Sequence, residues 1–144
     1  MTEIYVDADA CPVKNEIYRV AERYGLKVHV VSNSWLNVPR DPRVERIVVN
    51  DSFDAADNWI AERAGDGDIV VTADIPLASD VIARGAHALD PRGEFFSPET
   101  IAERLTMRNF MDQLRASGVQ TGGPPSMDAS NRKAFADQLD RFLA

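Results

Sequence analysis

The sequence contains a single cysteine, Cys11, among 144 residues. No disulfide can close within the chain, and a reducing cytoplasm is the expected setting. Histidine is nearly as scarce: His29 and His87 are the two present, and neither adjoins an acidic motif in the sequence. With one thiol and no His cluster, the composition argues against a zinc site. No apolar run approaches the roughly 20 residues that span a bilayer, so no membrane association is expected. The opening Met1-Thr2-Glu3 leads into no basic-then-apolar stretch, and no secretory signal is expected. Internal repeats and low-complexity tracts are also missing. Positive charge is in deficit, with 16 Lys and Arg against 23 Asp and Glu, a net charge of −7. Such a surface repels nucleic acid as a whole, which excludes a general DNA-coating protein. It does not exclude an enzyme that grips phosphate locally, because bound cations reverse the local sign.

The length supports one domain, 1–144, with chain enough to bury a core. Ile4-Tyr5-Val6 favours a first strand ending at Asp7. Pro12 suits the start of a helix, whose apolar positions Val13, Ile17, Val20, Ala21 and Tyr24 recur at helical spacing before Gly25. Further strands are expected over 26–31, 44–49, 68–72 and 86–89. Helices are expected over 54–64 and 76–83. Ile69-Val70-Val71 is the most apolar run and suits the middle of a parallel sheet. The alternation implies βαβ units with right-handed crossovers and helices on both faces. The expected fold class is therefore an α/β three-layer sandwich with a mainly parallel sheet. After Pro91 the pattern changes to an irregular stretch or short hairpin over 92–96. Helices over 98–105 and 107–117 follow, then a Gly-Pro loop over 118–126 and an amphipathic helix over 128–143. These helices form a C-terminal extension, about 98–144.

Acids gather where such a sheet binds ligands, beyond the carboxyl ends of its strands. Asp7 ends the first strand and Asp9 follows two residues on. Asp74 lies just past the strand at 68–72. Asp54 and Asp57, three apart, share a face near the start of their helix. Carboxylates that converge repel one another, and unless a cation neutralises them at least one takes up a proton. Mg²⁺ suits all-oxygen donors, polarises a phosphate oxygen and lowers the pKa of a bound water. Each acid also has a plainer use. Asp54 and Asp74 stand where helix caps are needed, and Asp9 precedes a helix start. Asp7 is the hardest to explain without a ligand.

Several strings resemble the uncharacterised bacterial YaiI/YqxD family. They are Val6-Asp7-Ala8-Asp9-Ala10-Cys11-Pro12-Val13-Lys14, Asp54-Ala55-Ala56-Asp57-Asn58, and Gly67-Asp68-Ile69-Val70-Val71-Thr72-Ala73-Asp74-Ile75-Pro76-Leu77-Ala78. Pro91-Arg92-Gly93, Leu105-Thr106-Met107-Arg108 and Thr121-Gly122-Gly123-Pro124 extend the likeness over nearly the whole chain. That family is grouped with PIN-like domains, many of them Mg²⁺- or Mn²⁺-dependent ribonucleases. The resemblance implies metal-ligand roles for Asp7, Asp57 and Asp74, with Asp9 close by, and RNA as substrate. A further acid usual in PIN nucleases has only Asp80 as a rough counterpart here.

Phosphate contacts are expected from Lys14, Asn33, Arg92 and Arg108. Arg104 reads as a surface ion-pair partner. Gly122-Gly123-Pro124 is a weak phosphate-cradle signal. Cys11 lacks a histidine base and reads as a small buried residue. Trp35 is expected to anchor its loop, and Trp59 to join the core.

Two other functions fit the same residues. Asp7-Ala8-Asp9 matches the nucleophile-then-acid pattern of a haloacid-dehalogenase-type aspartyl phosphatase, with Asp7 phosphorylated and Asp9 protonating the leaving group. The short chain and Cys11, where Thr or Val is usual, count against it. A PIN-like binding module without turnover fits the acidic net charge.

Overall fold

Alternation along the strands sorts the core into two halves. In the computed structural model, residues 2–50, 52, 54–118 and 127–144 are described. The strands are β1 (Ile4–Asp7), β2 (Val28–Ser32), β3 (Val44–Val48), β4 (Ile69–Val71) and β5 (His87–Leu89). All pair in parallel, in the order β3-β2-β1-β4-β5. β1, β2 and β4 are the inner three, and Ile4, Val6, Val28, Val30, Ile69, Val70 and Val71 are all fully buried. The expected α/β class with a parallel sheet is the observed one.

The helices are α1 (Lys14–Tyr24), α2 (Ala55–Arg63), α3 (Ile75–Ala83), α4 (Pro98–Ala116) and α5 (Ala129–Leu143). Residues of α1 and α5 pack with Ile4, Val6, Val28, Val30 and Val71 on one face. Residues of α2, α3 and α4 pack with Tyr5, Val31, Val70 and Ala88 on the other. α5 belongs to the core itself: Phe135 and Leu139 are fully buried, and Tyr24 donates its hydroxyl to the Asp140 carbonyl at 3.3 Å. Gly93 (φ +95°) lets the turn after β5 touch this helix. A Cβ there would lie 3.1 Å from the backbone of Ala134 and Phe135.

Two details differ from the sequence reading. A short 3-10 turn, Ala8–Ala10, separates β1 from α1, so Pro12 precedes the helix by two residues. α4 is one continuous helix rather than two. Thr106, the expected break, turns its hydroxyl back to the Ala102 carbonyl at 3.0 Å and stays helical. β2 runs directly to β3 through a loop, as the prolines and asparagines over 32–43 imply. The stretch after β5 is a hairpin, with Leu89 bridging Phe95 in antiparallel fashion. The loop expected over 118–126, with Gly122-Gly123-Pro124, lies outside the described residues apart from Gly118.

Candidate functional site

The crossover from β1 leads through α1 to β2, and that from β4 leads through α3 to β5. The two connections diverge, so the crevice between the carboxyl ends of β1 and β4 is the switch point where open α/β sheets bind ligands. Register sets what lies there. Val6 pairs with Val71, so Asp7 stands level with Thr72. The Thr72 hydroxyl donates to Asp7 Oδ2 at 2.9 Å and accepts the Asp74 N–H at 2.9 Å. One side chain thus ties the acid of β1 to the turn that presents the acid after β4. Sequence reasoning missed Thr72, although a Thr two residues before an Asp at a strand end is a recognisable turn signal.

Asp74 is the N-cap of α3, its Oδ1 accepting the Leu77 N–H at 2.9 Å. Its plain capping use therefore holds, and it still faces the other acids. Asp57 lies in the first turn of α2, which packs against β1 and β2. Burial, then the charges of Asp74 and Asp7, push the Asp57 carboxyl up to about 7, and its side chain lies within hydrogen-bonding reach of Asp74. Burial also raises Asp7, with Asp74 and Asp9 adding to it and the Thr72 hydroxyl opposing. The structure therefore brings Asp7, Asp57 and Asp74 into one electrostatic group. A helix N-terminus ordinarily favours the carboxylate form, and at Asp57 burial and its neighbours outweigh that.

Asp9 stands at the rim, exposed, its Oδ2 accepting the Asn33 backbone N–H at 2.8 Å. Asn33 Oδ1 is buried with no hydrogen-bond partner among the described residues. Asp54 occupies the N-cap position of α2 but makes no capping bond, so the expected cap is not formed. Asp80 is exposed along α3.

The expected phosphate contacts fare differently. Lys14 turns its Nζ to the carbonyls of Ala8 (3.1 Å) and Cys11 (2.7 Å), clamping the 3-10 turn that carries Asp9. The Arg92 backbone N–H donates to Asp90 Oδ1 at 2.6 Å, fixing the turn after β5. Arg108 is not brought to the acids among the described contacts. It faces Asp112 on its own helix at 4.0 Å. Arg104 binds Asp90 (3.1 Å) and Glu94 (2.6 Å) and lies over the Phe96 ring, as an ion-pair partner should. Cys11 is buried, and burial lifts its thiol to about 11, which rules out a resting thiolate. Trp35 is exposed with Arg46 stacked on it, and Trp59 is half-buried under Arg63. His29 pairs with Glu3 at 2.7 Å, a partner the sequence did not reveal, and Glu3 precedes the amino end of β1.

Among the described residues, no group of three or more His, Cys, Asp or Glu side chains forms a ready-made metal cage. The donor chemistry nevertheless fits a hard cation. The acids are all carboxylate oxygen, burial and then their mutual repulsion hold a proton on Asp57 near neutrality, and Asn33, whose backbone binds Asp9, keeps a buried amide oxygen without a hydrogen-bond partner among the described residues. No helix among the described residues is long and apolar enough to cross a membrane.

Comparison with known proteins places the chain in a family. A relative in Rhodopseudomonas palustris (strain BisB18), described as a UPF0178 protein, is 55% identical over 142 residues, covering 99% of this chain and 92% of its own. A UPF0178 protein of Dechloromonas aromatica (strain RCB) is 56% identical over 144 residues, covering 99% and 96%. No solved structure gives a significant match. The profile described as "Uncharacterized BCR, YaiI/YqxD family" matches residues 5–144. By that match and those identities, the chain belongs to the uncharacterised bacterial YaiI/YqxD family.

Proposed function

We propose that this protein is a divalent-metal-dependent nuclease that hydrolyses RNA phosphodiester bonds at the crevice between β1 and β4. The observation that carries the reading is the meeting of Asp7, Asp57 and Asp74 there, close enough for burial and mutual repulsion to lift Asp57 to about 7. Carboxylates set against one another cost stability unless a ligand compensates them. Asp7, Asp57 and Asp74 would hold Mg²⁺ or Mn²⁺, with Asp9 at the rim. The cation would polarise the phosphate and lower the pKa of water. The chain's own part is positional. Thr72 orients Asp7, the α3 cap fixes Asp74, and Lys14 holds the turn bearing Asp9. The resemblance to PIN-like domains supports RNA as the substrate class, and a single buried cysteine suits a cytoplasmic setting.

The test is cleavage of single-stranded and structured RNA with Mn²⁺ or Mg²⁺ present. Activity that needs the metal and falls at least a hundredfold in Asp7→Asn and in Asp57→Asn supports the reading. Saturable metal binding with no cleavage of a broad RNA panel supports a non-catalytic module instead. The net charge of −7, which repels a nucleic-acid substrate, favours that second reading.

A further inference from the structure

Trp35 is the most exposed large hydrophobic side chain among the described residues, at 61%. It does not stand loose. The Arg46 guanidinium lies over one face of its ring, 4.4 Å from the centroid, and Arg46 also donates to the Leu36 carbonyl at 3.5 Å. One face of the indole is thus held against β3, while its exposure leaves the other face open to solvent. An open aromatic face backed by a cation suits a ligand that is both planar and anionic, as a nucleotide is.

A hydrogen bond and the strand register put this ring beside the acids. Asn33, two residues before Trp35, gives its backbone N–H to Asp9 at 2.8 Å. Two residues span at most about 7 Å, so Trp35 stays near the rim acid. Arg46 pairs with Val30, and Asp7 with Val31, so Arg46 and Asp7 lie two strands apart at nearly one level. That is about 10 Å across the sheet. Charge favours the same occupant. Arg40, Arg43 and Arg46 make no ion pair among the described residues. The acids between them are engaged elsewhere: Asp41 accepts the Arg43 backbone N–H at 2.9 Å, and Glu45 pairs with Lys27 at 3.2 Å. A chain of net charge −7 therefore keeps a positive strip beside its exposed indole. Positive strips with open aromatic faces hold single strands, whose bases are free to stack. We infer that Trp35 and Arg46 form a base-stacking site for single-stranded RNA, seating a nucleotide that flanks the one at the acids. The inference rests on the reading of that crevice as an RNA site. A duplex hides its base faces and is not held there.

Binding, not cleavage, tests this, so failure of the stacking site and failure of the nuclease reading are told apart. A fluorescein-labelled ten-nucleotide oligouridylate is titrated with the full chain in EDTA and followed by anisotropy. The wild type is expected to bind it saturably. Trp35→Ala should bind roughly ten- to a hundredfold more weakly, with an unchanged circular dichroism spectrum because the ring is exposed. Trp35→Phe should stay near wild type, and Arg46→Ala should bind several-fold more weakly. An abasic strand of the same length should bind the wild type as poorly as the oligouridylate binds Trp35→Ala. That arm uses the wild type alone and decides the matter even if a variant misfolds. The same pattern in a protein that cleaves no RNA keeps the stacking site and removes the nuclease. A wild type that binds no oligouridylate overturns the inference. So does a Trp35→Ala that binds as tightly, an abasic strand held as well as the base-bearing one, a preference for duplex, or self-association of the protein that Trp35→Ala abolishes.

Discussion

Asp57 and Asp74, from the first turn of one helix and the cap of another, lie within hydrogen-bonding reach across the crevice between β1 and β4. Burial first, and then the charges of Asp74 and Asp7, hold a proton on Asp57. The folded protein therefore binds more protons than the unfolded chain between the ordinary Asp range, about 4, and the raised value of Asp57, about 7. Through that window the metal-free protein should lose stability as pH rises. Asp7, raised in the same direction, adds to the slope. Urea unfolding at a series of pH values should show this decline in the wild type and a flatter profile in Asp57→Asn.

Asp74 both caps α3 and repels Asp57, and two substitutions separate these roles. Asn retains the cap without the charge, so Asp74→Asn should be at least as stable as wild type at pH 7 without metal. Asp74→Ala loses the cap and should be about 1 kcal/mol less stable than Asp74→Asn. In either variant, NMR titration of Asp57 should place its carboxyl below the wild-type value.

Cys11 should be inert in the native state. It is buried, with its thiol lifted to about 11, so it offers almost no thiolate at neutral pH. Labelling with a thiol reagent at pH 7 should be slow in the folded protein and rapid in denaturant. Fast native labelling would contradict the packing around the 3-10 turn.

The turn after β5 leans on α5 through Gly93. With φ at +95° and a Cβ meeting the Ala134 carbonyl at 3.1 Å, Gly93→Ala is both strained and crowded. It should cost more than about 1 kcal/mol. Thermal unfolding would show it, and loss of α5 docking would appear as faster amide exchange around Phe135.

The strands and their order of alternation were legible because Ile69-Val70-Val71 and its counterparts carry their own period and stop signals. Asp7 and Asp74 were legible for the same reason, since strand ends in a parallel sheet define one edge. What the sequence did not show depends on tertiary contact. Lys14 is diverted from solvent by two carbonyls that only the 3-10 turn exposes. Thr72 gains its role from the β1–β4 register. The single α4 was missed because Leu105-Thr106-Met107 is locally neutral, and a Thr hydroxyl can serve its own helix. The proton on Asp57 follows from neighbours distant in sequence.

The most direct test of the central claim is calorimetric titration of Mn²⁺ into the wild type and into the Asp7→Asn/Asp74→Asn double variant near pH 7. The account predicts saturable binding in the wild type, accompanied by proton release as Asp57 ionises, and no binding in the variant. A wild type that binds no Mn²⁺, or a variant that binds it equally well, would contradict it.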